Sequence, residues 1–216
     1  DWSSDVCSSD LDITNMGPEV NDPKQWDSQP SVSADGNTLY FASARDSSSG
    51  IDIYVTHRGS DGKWMKAKKL PPPINTNGNE KSPFIHQDGR TLYFSSDSLP
   101  GLGGYDIFMS RMDDKGNWSV PVNLGYPINT EADEVGFFAS TDGKLGYFSS
   151  NNVKGSSGYD VFSFDLYPKA RPEKVTLQKG ELRADGPDSM ISASIELKNT
   201  FTNEMTRINV DSVTGQ

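Results

Sequence analysis

Carboxylates supply most of the chemistry this chain could perform. Nine of them keep step along the sequence. Asp35, Asp88 and Asp142 each stand before a glycine, and Asp52, Asp106 and Asp160 each begin an Asp-aliphatic-aromatic triplet. Asp27, Glu80 and Glu134 precede each inner strand by the same distance. Loop carboxylates can hold a hard cation such as Ca2+. They can also accept hydrogen bonds from backbone amides, as Asp does in turns. The dense D-x-D-x-D-G loop of a calcium site is missing, which favours the structural role, so no metal or cofactor is assigned.

Nucleophilic and acid-base catalysis have few candidates. The two histidines, His57 and His86, lie on different strands of successive units and neither recurs in the other copies, which is the pattern of surface positions. A G-x-S-x-G elbow, H-E-x-x-H, a phosphate loop and paired cysteines are missing. Cys7 is the only cysteine and cannot form an internal disulfide. The expectation is a protein that is not an enzyme. Thirty acidic against twenty basic residues, a net charge of −10, disfavour nucleic acid and anionic membranes as partners. Lys63, Lys66, Lys68 and Lys69 read as the solvated edge of one strand.

The elements that carry these carboxylates are a unit written three times at a spacing of 53 to 54 residues. The Asp-Gly turns are each followed by an aromatic pair, Tyr40-Phe41, Tyr93-Phe94 and Tyr147-Phe148. Trp64 and Trp118, Leu70 and Leu124, and Asn75 and Asn129 keep the same step, and the register reaches back to Met16. A tandem unit of short strands and turns points to a radial β array whose units bury their faces against their neighbours.

Within one unit, alternation and turn residues mark the strands. Asn37 to Ser43 reads as a strand buried on both sides, Ile51 to Arg58 as its partner, and Trp64 to Leu70 as a Lys-rich outer edge. Glu80 to Gln87 supplies the remaining strand of the next unit. The fold class expected is therefore all-β: a partial β-propeller of three four-stranded blades over residues 12–167, followed by a truncated β-sandwich. Closed propellers use about four to eight blades. The variable loops Ser98 to Tyr105 and Asn151 to Tyr159 would project from one rim, where binding is built.

The blocks PSVSADGNTLYFASARDSSSGIDIYV, SPFIHQDGRTLYFSSDSLPGLGGYDIFM and TDGKLGYFSSNNVKGSSGYDVFS resemble the repeats of TolB-like β-propellers. With the segment WSVPVNLGYPINTEADE, the form they are most similar to is that of OmpA-family envelope proteins of Gram-negative bacteria. The third copy departs in two places: Gly146 takes the slot of Leu39 and Leu92, and Phe137 that of Pro30 and Pro83. Both changes should weaken strand propensity locally. The resemblance implies a non-enzymatic scaffold in the periplasm, associated with the outer membrane. Its partners would be envelope proteins or peptidoglycan, reached through regions outside this chain. Two rivals are the propeller of a prolyl-oligopeptidase-like hydrolase and a solute-binding propeller. A hydrolase would continue into an α/β pattern, whereas the chain beyond Val175 alternates with period two.

Residues 168–174 (PKARPEK) read as a linker. Residues 175–216 carry period-two alternation at Ile191, Ala193, Ile195 and Leu197 and again at Ile208 and Val210. They resemble the start of a carboxypeptidase-regulatory-like β-sandwich, a name that implies no peptidase activity. Residues 1–11 fit neither the register nor any alternation and read as a non-native or disordered leader. No apolar run is long enough to span a bilayer, so no direct membrane insertion is expected of this segment.

Overall fold

The computed structural model describes residues 13–46, 50–152, 158–175, 194–198 and 205–209. The leader expected at 1–11, with Cys7, lies outside them. The chain divides into two compact units, Asp1–Val175 and Thr176–Gln216.

The first unit is built from antiparallel sheets in sequence order. One sheet comprises β1 (Asp27–Val32), β2 (Thr38–Ser43), β3 (Asp52–His57) and β4 (Lys68–Lys69). A second comprises β5 (Glu80–Ile85), β6 (Thr91–Ser96), β7 (Asp106–Arg111) and β8 (Val122–Asn123). A third comprises β9 (Glu134–Ala139), β10 (Leu145–Ser150) and β11 (Asp160–Asp165). The first two sheets have the expected four strands. The third shows three among the described residues, because the positions matching β4 and β8 fall at 176 and 177, outside the description.

The strands form where the residue pattern places them. Thr38–Ser43 is rich in β-branched and aromatic residues, and its turn closes through the Gly36 amide donating to the Ser33 carbonyl at 2.9 Å. Gly36 sits at φ +70°, a left-handed conformation that glycine adopts without penalty. The outer edge is shorter than the expected Trp64 to Leu70. Only Lys68 and Lys69 pair as a strand, while Trp64 meets Arg58 in an isolated bridge. The Ala67 amide is drawn away to the Glu19 carbonyl at 2.8 Å, which ends the pairing.

The faces between sheets are apolar. Tyr40, Ile53 and Leu70 of the first copy pack with Ile74, Ile85, Leu92, Phe94 and Phe108. Tyr93, Ile107, Met109 and Leu124 pack in turn with Phe137, Ala139 and Phe148. Each such large side chain contributes about 1.5 to 3 kcal/mol on burial. The first strands of successive sheets touch, β1 with β5 and β5 with β9, while β4 and β8 lie beyond β3 and β7 on the far side.

The two departures in the third copy compensate one another. A Cβ on Gly146 would meet Phe164 at 2.8 Å and Phe137 at 2.9 Å, so the missing side chain makes room for the ring that replaces proline. Phe137 is buried and stacks on Tyr93 with centroids 4.4 Å apart. β10 keeps its full length, against the expected local weakening.

A shared backbone feature was not foreseen. Gln29, Ser82 and Gly136, at one position of the three first strands, all adopt positive φ of 52° to 66°. A register shift in the pairing of each first strand accompanies them. The Ser82 amide donates to Gln29 Oε1 at 2.8 Å, joining equivalent positions of neighbouring sheets.

Residues 166–173 fold back over the second sheet. Leu166 and Ala170 are fully buried, Pro168–Ala170 form a 3-10 turn, and Tyr93 Oη donates to the Ala170 carbonyl at 2.6 Å. In the second unit, β12 (Ser194–Lys198) pairs antiparallel with β13 (Met205–Asn209).

Candidate functional site

The aspartates of the three Asp-Gly turns bind the amides just beyond them. Asp35 Oδ1 accepts from the Asn37 amide at 3.0 Å, Asp88 Oδ1 from the Arg90 amide at 2.9 Å, and Asp142 Oδ1 from the Lys144 amide at 3.1 Å. Asp88 differs from the other two in its surroundings. Its side chain is almost wholly buried and also accepts from Thr91 Oγ1 and from the Glu173 amide. Burial opposes its charge, but contact with His86, the Arg90 amide and Thr91 outweigh that and hold the carboxyl well below the ordinary aspartate range.

Asp27, Glu80 and Glu134 are the first residues of β1, β5 and β9, and each carboxylate gathers donors at a junction between sheets. Glu80 accepts from the Thr76 amide at 2.9 Å, Thr76 Oγ1 at 2.7 Å and Ser96 Oγ at 2.8 Å. Glu134 repeats the pattern with Thr130 and Ser150 at the same distances. Asp27 takes the Asp22 amide and the Arg45 guanidinium instead. Burial, with the nearby Asp52 carboxylate adding to it, pushes the Glu80 carboxyl above the ordinary range against the pull of its donors.

Asp52, Asp106 and Asp160 begin β3, β7 and β11, yet their surroundings differ. Asp52 is fully buried and meets the Lys69 ammonium at 2.7 Å. Asp106 is buried and accepts from the Leu102 amide at 2.5 Å, under a loop so close that a Cβ on Gly101 would strike its carboxylate. Asp160 is exposed.

The histidines separate. His57 is exposed and its Nδ1 lies 3.0 Å from Thr38 Oγ1. His86 corrects the expectation of a surface position, because it is fully buried. Nε2 donates to the Ser140 carbonyl at 3.3 Å and Nδ1 accepts the Asp88 amide at 3.2 Å, which describes a neutral ring wedged between sheets. No three His, Cys, Asp or Glu side chains converge as a metal site among the described residues.

Where strands one and three of each sheet begin, the description shows a rim that residue types alone did not reveal. Asn79 and Asp97 bond through two contacts, and Asp133 and Asn151 do so one repeat later. The same oxygens reach the previous sheet: Asn79 Oδ1 accepts the Ile51 amide and Asp133 Oδ1 the Tyr105 amide, both at 3.0 Å. A Cβ on Gly104 would stand 2.1 Å from Asp133 Oδ1, so glycine is needed there for the close approach.

Lys81 projects into this rim, where the other copies have Ser28 and Val135. Its ammonium sits 3.4 Å from the centroid of the Tyr105 ring, a cation–π contact. Burial draws the amine below the ordinary lysine value, against the attraction of Asp133 and Asp97. Burial first, then the Asp97 carboxylate, pushes the Tyr105 phenol up to about 12. Tyr159, half exposed, donates to Asp133 Oδ2 at 3.3 Å. The group combines aromatic faces, one amine and tethered carboxylates beside the exposed Leu102, a composition suited to holding a surface rather than transforming a substrate.

Among solved structures, the chain is similar to a TolB from Agrobacterium tumefaciens, with TM-score 0.48 and 19% identity over 68% of this chain and 48% of that one. It is similar to TolB from Acinetobacter baumannii, with TM-score 0.44 and 20% identity over 63% of this chain and 29% of that one. A puromycin hydrolase aligns with TM-score 0.35 and 13% identity, over 87% of this chain and 34% of the hydrolase. The chain thus spans about half or less of the length of each. No protein-family model matches the chain, and no curated protein matches it.

Proposed function

We propose that the chain is part of a non-enzymatic β-propeller scaffold of a Gram-negative cell envelope, which holds a protein or glycan partner at its loop rim. The observation that carries this reading is the rim itself. Loops from successive sheets are tied together by the Asn79–Asp97 and Asp133–Asn151 contacts, and they present Lys81, Tyr105 and Tyr159 on a rigid frame. Pre-ordered loops lower the entropy cost of recognition. The resemblance of the repeat blocks to OmpA-family envelope proteins supports a periplasmic place beside the outer membrane. In that setting the scaffold would link the membrane to peptidoglycan through regions outside this chain. Among the described residues, no helix is long and apolar enough to cross a membrane.

Photo-crosslinking tests the reading. Leu102 is exposed at the rim, and Lys115 is exposed in the turn after β7, at the opposite end of the same sheet. A photoreactive residue at 102 should capture a discrete envelope component, by mass spectrometry or co-sedimentation with peptidoglycan, that one at 115 does not. Equal capture from both positions, or none from 102, would reject the rim.

A further inference from the structure

The junctions between sheets differ in how their buried carboxylates are neutralised. Asp27 faces the Arg45 guanidinium at 2.5 Å. One junction later, Asp52 faces the Lys69 ammonium at 2.7 Å, and Lys69 also reaches the partly exposed Asp46 at 3.2 Å. In the following junction the equivalent carboxylates are Asp106 and Glu134, 1% and 0% exposed. The Glu134 amide donates to the Tyr105 carbonyl, which seats Glu134 beside Asp106 as the Glu80 amide, donating to Ile51, seats Glu80 beside Asp52.

No cationic side chain pairs with Asp106 or Glu134 among the described residues. Asn123 stands where Lys69 stands, with the same register: Asn123 opposite Phe108, Lys69 opposite Tyr54. An asparagine is neutral and too short to replace that lysine. Two polar atoms are left buried without a partner among the described residues, Asp106 Oδ1 and Asn123 Nδ2. Asp106 Oδ2 is occupied by the Leu102 and Gly103 amides, so Oδ1 is the oxygen turned away from the loop and into the interior.

Two carboxylates withdrawn from water without a counter-charge are costly, and the charge must be met by a proton or by a bound cation. We propose that this junction binds a hard, oxygen-seeking cation of the calcium type at Asp106 and Glu134, serving Asp106 as the Lys69 ammonium serves Asp52. Carboxylate and amide-carbonyl oxygens are the donors that such ions select. The inference is independent of the rim reading, since it concerns the junction beneath the loops.

The test uses the full chain after chelator treatment. Adding Ca2+ to about 1 mM, in the range where extracellular calcium modules saturate, should raise the thermal midpoint by several degrees. Tb3+ should bind and luminesce when tyrosine is excited, since Tyr105 adjoins the site. Asp106→Asn should lose both responses. Asn123→Lys should raise the midpoint in chelator and abolish the response to Ca2+, because the ammonium then occupies the place of the ion. If that variant does not fold, the wild type and Asp106→Asn decide alone. A wild-type midpoint indifferent to Ca2+, or Tb3+ luminescence unchanged in Asp106→Asn, overturns the proposal. A midpoint that rises only when the pH is lowered also overturns it, by showing that a proton balances the charge.

Discussion

Asn79 and Asp97 bond through backbone amide to Oδ1 at 2.8 Å and side-chain amide to Oδ2 at 2.7 Å, and the chain repeats this pairing at Asp133 and Asn151 with the two residue types exchanged. In the second pair the Asp133 amide donates to Asn151 Oδ1 at 2.9 Å and Asn151 Nδ2 donates to Asp133 Oδ2 at 3.1 Å. One amide and one carboxylate are required, and either order serves.

The exchange makes a direct prediction. Asn79→Asp alone would set two carboxylates facing one another and should lower stability by about 1 to 3 kcal/mol, the cost of losing a hydrogen bond to a charged group. Adding Asp97→Asn reproduces the Asp133–Asn151 order and should restore stability to within about 0.5 kcal/mol of the wild type, read by urea denaturation. A double variant no more stable than the single one would refute the equivalence.

Asp88 should govern part of the acid limb of stability. Its folded carboxyl titrates below the ordinary aspartate value of about 4, so in the pH range between the two values the unfolded chain binds more protons than the folded one. The stabilisation is complete above about pH 4 and is lost as the pH falls below it. Asp88→Asn should therefore cost about 1.5 to 3 kcal/mol near pH 7, and the gap to the wild type should close in strong acid. A gap that stays constant down to about pH 2.5 would show that the charge plays no part.

Much of the fold was legible because identity recurs at one step. Strands expected at Asn37 to Ser43 and Ile51 to Arg58 form at Thr38–Ser43 and Asp52–His57. What escaped notice was chemistry that recurs without identity. Gln29 and Ser82 adopt positive φ without being glycine, and only Gly136 hints at the shared bulge. The Asn79–Asp97 pairing hides because its partners trade places. His86 misled for a related reason. A residue absent from the other copies can still be buried, since its partner, the Ser140 carbonyl, is backbone and leaves no mark in the side-chain pattern. Likewise Asp52, Asp106 and Asp160 read as one class, whereas burial sets Asp160 apart.

The outer face of the third sheet should drive association. Val161 is 76% exposed, while its counterparts Ile53 and Ile107 are fully buried by the next sheet. Tyr159 and Phe138 extend the apolar surface. Such faces seek partners. The chain should sediment with concentration-dependent association, and Val161→Lys should weaken it. A wild-type chain that remains monomeric at high concentration would contradict this.

Asp106→Ala tests the structural role of the strand-opening carboxylate. The substitution strands the Leu102 and Gly103 amides, which now donate to Asp106 Oδ2 beneath a loop that leaves no room for a Cβ at Gly101. A hydrogen bond to a charged acceptor contributes about 1.5 to 3 kcal/mol, so stability should fall by roughly that amount. Asp160→Ala is the matched control. The same residue type opens the equivalent strand in an exposed setting, where a substitution stays within about 0.5 kcal/mol. Chemical denaturation of the two variants in chelator separates the loop contacts from any bound ion. Equal midpoints for Asp106→Ala and wild type would reject the role. Equal losses at Asp106 and Asp160 would show that burial does not set the contribution of this position.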